Sequence, residues 1–454
     1  MIGSLFHDKD FVSRSLADEK DMIASVSGIR GVLNSDVTLA DYARFASNFV
    51  GGLGAKEVLI ARDTRSTGPA LARAVTSAVV ALGADVIDYG MVSTPALFRE
   101  SLVRRRPAIM ITASHNEPEF NGLKFVVDGA GASAEVVEAS LKERRTAHGA
   151  FGGGVLRKRP RASYNDDLVK KFGEKSCEGV RVALDLGGGS AIFHAVPILR
   201  RLGCEVFPIN DSAGIFNRRI DPMADELSVL RSLVKAKECD IGLGFDCDGD
   251  RLCVVDHRGL KRSGDFMLTM AVSRLLKSPG ERKVVVSQDT TVAIDEIVGR
   301  AGGEVFRSKV GEANVVGMMR EKGTSVGGEG SSGGLIDGSF NHCRDSMLAA
   351  LLIVEALKEQ GRRFYSSVPN YHQERVAIPV PRRKGLGVVA ALERSSKGAD
   401  ATDGVKVRVS PRSWVLVRPS NTEDVVRISA EAETESDAKK LAAKYAERVR
   451  ELSK

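Results

Sequence analysis

Apolar and polar positions repeat one unit three times along this chain. Each unit begins with a short apolar run typical of a buried strand and continues through a loop of small polar residues into a stretch with helical periodicity. A small turn then leads to a second apolar run. The units span residues 57–86, 180–206 and 283–305. Strand, helix and strand in this order form a βαβ unit, so the pattern predicts three similar α/β domains with mixed sheets.

The pattern changes after about residue 371, where a smaller α+β domain is predicted. Its last segment repeats apolar residues at helical spacing from a Ser436 cap to Leu452, which predicts a one-sided helix. Strands are predicted at 375–380, 405–409, 413–417 and 425–430. We expect domain boundaries at 1–155, 156–256, 257–370 and 371–454.

The composition indicates which kinds of molecule the chain is expected to bind. The 454 residues include 66 basic and 59 acidic side chains, a net charge of +7, but no basic cluster alternates with aromatic residues. We therefore expect a small phosphorylated substrate and no nucleic acid. No uncharged apolar stretch reaches 18 residues, and the six cysteines contain no Cys-x-x-Cys pair. These features predict a cytoplasmic protein without a membrane partner. Oligomeric state is left open.

Three carboxylates alternate along one short segment. Asp246, Asp248 and Asp250 follow an apolar run at 241–245, and aspartates packed this closely repel one another unless a divalent cation, typically Mg²⁺, binds them. Arg251 beside them indicates a phosphate partner. A calcium-binding EF-hand loop is excluded, because it needs glycine at the sixth position and glutamate at the twelfth. A solvated acidic turn is the alternative.

A second segment, residues 112–124, follows the apolar run at 108–111. Ser114 at this strand exit is a candidate nucleophile. Ser114 and Glu117 also have the spacing of a capping box, so this segment could instead begin a helix. The two interpretations are compatible, because a helix N-terminus stabilises the negative charge of a phosphorylated serine.

Together these segments resemble those of the α-D-phosphohexomutases, and the resemblance spans nearly the whole chain. It implies three related α/β domains and a smaller fourth one around a central cleft. It also implies that Ser114 is a phosphoserine and that Mg²⁺ is held by Ser114, Asp246, Asp248 and Asp250. In this family a hexose 1,6-bisphosphate is the intermediate.

Two further segments of the first domain resemble family segments. Residues 27–31 are similar to the family's Thr-Ser-Gly-Ile-Arg-Gly signature, with Val26 in place of threonine, and imply that Arg30 lies near the phosphoserine. Residues 62–65 resemble another family segment. Without the resemblance, Arg62 and Arg65 are expected to be solvated surface residues.

The third and fourth domains supply candidate substrate contacts. Residues 327–334 resemble the family's sugar-binding loop, which implies that Glu329 and either Ser331 or Ser332 bind sugar hydroxyls, with Lys309 in a neighbouring specificity loop. Residues 418–427 resemble the family's phosphate-binding loop. Clustered hydroxyl, amide and guanidinium donors can hold a dianion, although a capping box starting at Ser420 is the alternative. The candidate donors are Arg418, Ser420, Asn421, Thr422 and Arg427.

The glycine-rich segment at 185–190 follows a strand, as in dinucleotide-binding folds. Ile192 occupies the place of the third glycine of that fingerprint, so nucleotide binding is not expected.

The resemblance implies a Mg²⁺-dependent isomerase that interconverts hexose 6-phosphate and hexose 1-phosphate. By the resemblance, Lys124 is the candidate general base, a role that needs a lowered pKa, which Arg30 and Mg²⁺ nearby could provide. His115 is expected to orient this group. Glu312 beside Gly311 favours glucosamine phosphate, because an acid suits an amino sugar. A broad phosphomannomutase/phosphoglucomutase is the alternative. A sugar-phosphate phosphohydrolase and a non-catalytic sugar-phosphate sensor are the more distant ones.

Overall fold

The computed structural model describes residues 22–25, 28–142, 152–158, 161–277, 280, 282–420 and 424–454. The first domain has one eight-stranded sheet in the order β1-β2-β6-β5-β3-β4-β8, with β7 paired to β6. Its strands are β1 (Ile23–Ser25), β2 (Gly28–Val32), β3 (Glu57–Arg62), β4 (Asp85–Met91), β5 (Ala108–Ile111), β6 (Phe120–Val127), β7 (Ala130–Gly131) and β8 (Val155–Arg157). Its helices are α1 (Leu39–Leu53), α2 (Gly68–Ala81), α3 (Thr94–Arg104) and α4 (Ala134–Leu141).

The second and third domains each have a four-stranded sheet. The second contains α5 (Arg161–Phe172), β9 (Arg181–Asp185), α6 (Ala195–Arg201), β10 (Glu205–Ile209), α7 (Ser228–Ala236), β11 (Ile241–Phe245) and β12 (Leu252–Asp256). The third contains α8 (Gly264–Leu275), β13 (Lys283–Ser287), α9 (Ala293–Arg300), β14 (Glu304–Ser308), α10 (Glu312–Lys322), β15 (Val326–Glu329), β16 (Gly334–Asp337), α11 (Ser346–Gln360) and α12 (Phe364–Ser367).

The predicted repetition is confirmed by strand order. The first three domains contain the series β4-β3-β5-β6, β10-β9-β11-β12 and β14-β13-β15-β16. In each series three parallel strands are followed by an antiparallel fourth one. The loops β5–β6, β11–β12 and β15–β16 therefore occupy equivalent positions. These loops carry Ser114, the three aspartates and the end of the sugar-binding segment, so one topology presents all three groups.

The fourth domain is an antiparallel sheet in the order β17-β20-β19-β18 with two helices. Its elements are β17 (His372–Pro379), α13 (Arg382–Ser395), β18 (Val405–Ser410), β19 (Ser413–Pro419), β20 (Val425–Ala432) and α14 (Glu435–Leu452). The predicted strands and final helix are present. The predicted Ser436 cap is wrong, because the Thr434 hydroxyl accepts the hydrogen bond from the Asp437 amide.

The domain boundaries stay predictions. The first of them, at residue 155, falls at the start of β8, which pairs with β4 of the first domain. Among the described residues, no helix combines the length and the apolar composition needed to cross a bilayer.

One hydrophobic cluster connects the first three domains, and Leu59, Leu184 and Leu348 belong to it. Helix α11 lies within this cluster and is buried along most of its length. It packs against α8, β11, β12 and β16, which come from two domains. A helix that is apolar on all sides needs such surroundings, so α11 fixes the second domain against the third.

A buried carboxylate attaches the fourth domain to the third. Glu431 is fully buried in β20, where its carboxylate accepts hydrogen bonds from the Trp414 Nε1 (2.8 Å), the Val292 amide (2.9 Å) and the Gln373 Nε2 (2.9 Å). Val292 belongs to the third domain and packs on Trp414 and Leu416. Three donors thus depend on one acceptor.

Replacing this acceptor tests the attachment. We expect Glu431→Ala to lower the free energy of unfolding by about 2–4 kcal/mol, because buried donors lose their partner. Amide protons of β20 should exchange faster. Glu433→Ala is the matched control, since Glu433 forms an exposed ion pair with Arg412 and such pairs contribute little. Equal stability of the two variants in chemical denaturation would contradict this account of the interface.

Candidate active site

Ser114 lies in the loop between β5 and β6, and no helix begins there, so the capping-box interpretation is wrong. Its backbone has φ +53°, a left-handed conformation that costs energy for a residue with a side chain. The Ser114 amide donates to the Thr112 Oγ1 (2.8 Å), and its hydroxyl donates to the Asp246 Oδ2 (3.2 Å). The loop therefore turns the serine hydroxyl toward the second domain.

Arg65 fixes the backbone conformation of the loop between β5 and β6. It is fully buried, forms an ion pair with Asp63 (3.1 Å) and donates hydrogen bonds to four loop carbonyls. The acceptors are the carbonyl oxygens of Ser114, Asn116, Glu117 and Phe120. The expectation of a solvated surface residue is wrong for Arg65. Five donors in one rigid guanidinium explain why arginine suits a loop with several unpaired carbonyls.

The three aspartates lie side by side after β11. All are buried, and one oxygen of each lies within 4.8 Å of the others. The Oδ1 atoms of Asp248 and Asp250 have no hydrogen-bond partner among the described residues. Burial and the neighbouring carboxylates raise the pKa of Asp246 well above its usual range. Oxygen ligands, mutual repulsion and unpaired buried oxygens fit a divalent cation, so these residues can hold Mg²⁺.

The glycine-rich loop after β9 packs against this metal-binding loop. A Cβ atom on Gly189 would lie 2.7 Å from the carbonyl oxygens of Asp246 and Cys247. The Gly188 carbonyl accepts a hydrogen bond from the Thr64 Oγ1 of the first domain (2.8 Å). This glycine run therefore allows close approach of three backbone segments at the domain junction.

Lys124 of β6 joins the first domain to the aspartates. Its Nζ lies 2.7 Å from the Asp248 Oδ2 and 2.9 Å from the Asp250 Oδ2. Burial lowers the pKa of Lys124, but the two carboxylates outweigh it and raise the pKa above its usual value. Lys124 is therefore an ammonium ion in this arrangement, and the lowering of its pKa that was expected from Arg30 and Mg²⁺ stays a prediction.

Three other predicted residues surround the serine loop. Arg30 donates to the Asn116 Oδ1 (2.9 Å), and burial lowers its pKa to about 10. The His115 Nε2 lies 3.4 Å from the Arg251 Nη2. Burial and the two arginines lower the pKa of His115, which keeps the imidazole neutral. Arg251 also forms an ion pair with Asp221 (3.1 Å).

In the third domain, Glu329 ends β15 and is buried, and its Oε1 accepts from the Gly311 amide (2.7 Å). Burial raises its pKa. Ser332 is buried and turns its hydroxyl to the Glu329 carbonyl (3.4 Å). Ser331 is more exposed and bonds to the side chain of Asp289, so Ser331 is better placed to meet a ligand. Lys309 is exposed.

The fourth domain presents two of its predicted donors on neighbouring strands. Arg418 of β19 and Arg427 of β20 are directly opposite each other in the sheet. Burial raises the pKa of Asp289, but Arg375 and Arg418 outweigh it and lower the pKa. The charge of Arg418 therefore acts on Asp289, whose side chain bonds to Ser331 of the segment 327–334. Ser420 is buried. Asn421 and Thr422 lie outside the described residues, as do Val26 and Ser27.

Arg344 was not found from the sequence. Its buried guanidinium forms ion pairs with the Asp250 Oδ2 (2.8 Å), the Glu312 Oε2 (3.2 Å) and the Glu329 Oε2 (3.3 Å). It thus connects the metal-binding loop with both loops of the third domain. The local sequence, Cys343-Arg344-Asp345, gives no signal of this role, because the three partners lie 15–94 residues away.

The metal site is tested by a nearly isosteric change. We expect Asp246→Asn to keep the melting temperature measured without metal, because a neutral amide removes repulsion and can keep the backbone hydrogen bonds. Added Mg²⁺ should raise the melting temperature of the unmodified chain but not of this variant. Asp166→Asn, at an exposed ion pair, is the control and should keep the Mg²⁺ effect. An undiminished effect in Asp246→Asn would exclude this metal site.

All four domains of this chain match known protein families. Four family models, described as phosphoglucomutase/phosphomannomutase domains I, II, III and C-terminal, match residues 21–148, 162–259, 263–373 and 376–448. A probable phosphoglucosamine mutase of Methanopyrus kandleri is 33% identical over 440 residues, covering 93% of this chain and 97% of that protein. A phosphoglucosamine mutase of Alkaliphilus metalliredigens is 31% identical, with coverage of 91% and 96%.

A solved structure agrees with the fold. A phosphoglucomutase/phosphomannomutase family protein from Burkholderia thailandensis superposes with a TM-score of 0.83 at 25% identity, covering 95% of this chain and 98% of that one. All four domains are thus matched in sequence and in structure. The family expectation is confirmed: this chain belongs to the phosphoglucomutase/phosphomannomutase family of phosphohexomutases.

Proposed function

We propose that this chain interconverts glucosamine 6-phosphate and glucosamine 1-phosphate through a phosphorylated Ser114. The observation that carries the proposal is the 3.2 Å hydrogen bond from the Ser114 hydroxyl to Asp246. It joins a nucleophile of the first domain to an acidic cluster of the second. A phosphoryl group on Ser114 would lie beside this cluster.

In the proposed reaction, the bond between phosphorus and the Ser114 Oγ breaks while a bond forms to a sugar hydroxyl. The hydroxyl proton must go to a base, and Lys124 is our candidate because it lies in the same cluster. The departing Ser114 oxygen takes up a proton in the same step, so that no net proton is released. Mg²⁺ held by Ser114 and the three aspartates would supply positive charge to the phosphoryl oxygens and offset the carboxylate charge that raises the pKa of Lys124. The chain's own Arg30 and Arg251 would add positive charge at the same place.

The second half-reaction uses the same residues. The product of the first transfer is a hexose 1,6-bisphosphate, which must turn around and return its other phosphate to Ser114. Glu329 and Ser331 would bind sugar hydroxyls in both orientations. The phosphate that is not reacting would be held by Arg418 and Arg427, which face each other across two strands. Ser420, Asn421 and Thr422 are the other candidate donors there.

The phosphoserine is tested directly. We expect Ser114→Ala to reduce mutase turnover by about a thousandfold or more, because the group that carries the phosphate is lost. Ser140→Ala is the matched control, since Ser140 is a buried serine of the same domain that bonds to the Val137 carbonyl. Isomerisation of hexose 1-phosphate should be measured in both variants. Undiminished turnover in Ser114→Ala would exclude the proposed mechanism.

The same assay distinguishes a mutase from the two alternative functions. Release of inorganic phosphate without isomerisation would identify a phosphohydrolase. Ligand binding without turnover would identify a sensor. A cytoplasmic site of action is supported by the six cysteines, which are all buried and free.

Charge in the third domain supports an amino sugar. Glu312 and Glu329 together bring two carboxylates to the sugar-binding loop, and both contact the guanidinium of Arg344, which Asp250 shares. Asp250 is also paired with Lys124, whereas the two glutamates share the one guanidinium, so residual negative charge remains where the sugar is expected to lie. An ammonium group at the sugar ring would be attracted there, whereas a hydroxyl would gain less. Mannose and glucose phosphates are the second candidates.

A single charge change tests this preference. We expect Glu312→Gln to lower kcat/KM for glucosamine 1-phosphate relative to glucose 1-phosphate by about five- to tenfold, because only the amino sugar loses an ionic attraction. Glu321→Gln, at an exposed glutamate of the same helix, should leave the ratio unchanged. A constant ratio in Glu312→Gln would remove the charge argument for the amino sugar.

A further inference from the structure

We propose that Arg344 is a positioning residue that couples sugar recognition to the phosphoryl-transfer centre. One guanidinium would hold the sugar-reading Glu329 at a fixed place relative to the metal ligand Asp250. The inference rests on the proposed function, since it assigns Arg344 to the same reaction. Arg344 would act through these two carboxylates and would not itself contact the reacting phosphate.

The three ion pairs of Arg344 use different edges of its planar group. The Nη2 contacts Asp250, the Nε contacts Glu312, and the Nη1 contacts Glu329. The Arg344 amide also donates to the Glu312 Oε2 (2.9 Å). Asp250 belongs to the second domain, and both glutamates belong to the third. A lysine ammonium has no such fork and could not hold all three carboxylates at these angles.

The main chain of Arg344 is held as firmly as its side chain. The next residue, Asp345, caps α11 by accepting from the Leu348 amide (3.0 Å) and also accepts from the Tyr164 hydroxyl (2.6 Å). Ser346 donates to the Gly249 carbonyl within the metal-binding loop (2.6 Å). Helix α11 is buried, so the main chain that carries the Arg344 side chain cannot shift without disturbing the hydrophobic core between the domains.

The negative charges around Arg344 explain why a cation is needed at this position. Without the guanidinium, Glu312 and Glu329 would be buried or half-buried carboxylates close to Asp250, and repulsion would separate them. Lys124 would still contact Asp250, but among the described residues only Arg344 forms ion pairs with both Asp250 and the two glutamates. Loss of Arg344 should therefore displace the sugar-binding loop while leaving the phosphate-binding residues of the fourth domain in place.

Binding measurements can separate these effects. We would measure the dissociation constant for glucosamine 6-phosphate by calorimetry in the Ser114→Ala background, with inorganic phosphate as a second probe. We expect Arg344→Met to weaken sugar phosphate binding by about tenfold or more and phosphate binding by less than about twofold, because only the sugar contacts depend on Glu329. Arg344→Lys should be intermediate.

Arg274→Met is the matched control. Arg274 bridges Glu355 and Glu359 at the other end of α11, so its loss removes a similar ionic connection far from the cleft. It should change neither dissociation constant.

A double-variant cycle tests whether Arg344 acts through Glu329. If it does, Arg344→Met combined with Glu329→Gln should bind sugar phosphate about as weakly as Glu329→Gln alone. Independent structural roles would instead give additive losses. Additive losses would overturn the inference.

Two further outcomes would also overturn it. One is unchanged sugar phosphate affinity in Arg344→Met, and the other is an equal loss of affinity for both probes. If Arg344→Met does not fold, Arg344→Lys decides between the same outcomes. Failure of the unmodified chain to isomerise any hexose phosphate would refute the proposed function. Normal turnover of the unmodified chain with unaffected Arg344 variants would refute only the role of Arg344.

Discussion

Mutual repulsion among three buried aspartates sets the charge balance of the whole cleft. Asp246, Asp248 and Asp250 share one turn, and burial together with the other two carboxylates raises the pKa of Asp246. Positive charge reaches them from two other domains, through Lys124 of the first and Arg344 of the third. The packing of three domains thus supplies positive charge to this buried cluster, and the same packing brings the Ser114 hydroxyl to Asp246.

The same strand topology in three domains allows these side chains to come together. In each of the first three domains, the loop between the third and fourth strands of the common unit leaves the same end of a mixed sheet. One copy of this loop carries the serine, the second carries the aspartates, and the third follows Glu329 at the end of β15. Similar domains with different loop chemistry can thus divide a reaction among nucleophile, metal ligands and sugar contacts, while the core stays common. The fourth domain, held through Glu431 and Trp414, adds guanidinium donors from outside this repeat.

The predictions that failed were made from local sequence. A capping box at Ser114 and a helix cap at Ser436 were inferred from local spacing, but Ser114 precedes a strand and Thr434 caps the last helix. Arg65 was expected to be solvated, yet it is enclosed by a loop about fifty residues away. The pKa of Lys124 rises because two carboxylates from another domain outweigh burial, and the lowering expected from Arg30 and Mg²⁺ stays a prediction. For Arg65 and Lys124, partners distant in sequence decide the surroundings of the side chain.

The three α/β units, the smaller fourth domain and the candidate residues for carrying phosphate and binding a cation could be inferred from the sequence alone. Those inferences depend on periodicity and on side-chain chemistry within short segments, which are visible along the chain. The folded chain was needed to show which of two serines is better exposed beside Glu329, what Arg65 holds, and that Arg344 connects Asp250 to two glutamates. Burial and electrostatic interactions depend on distances in space, and the partners of these arginines are separated from them by up to 94 residues.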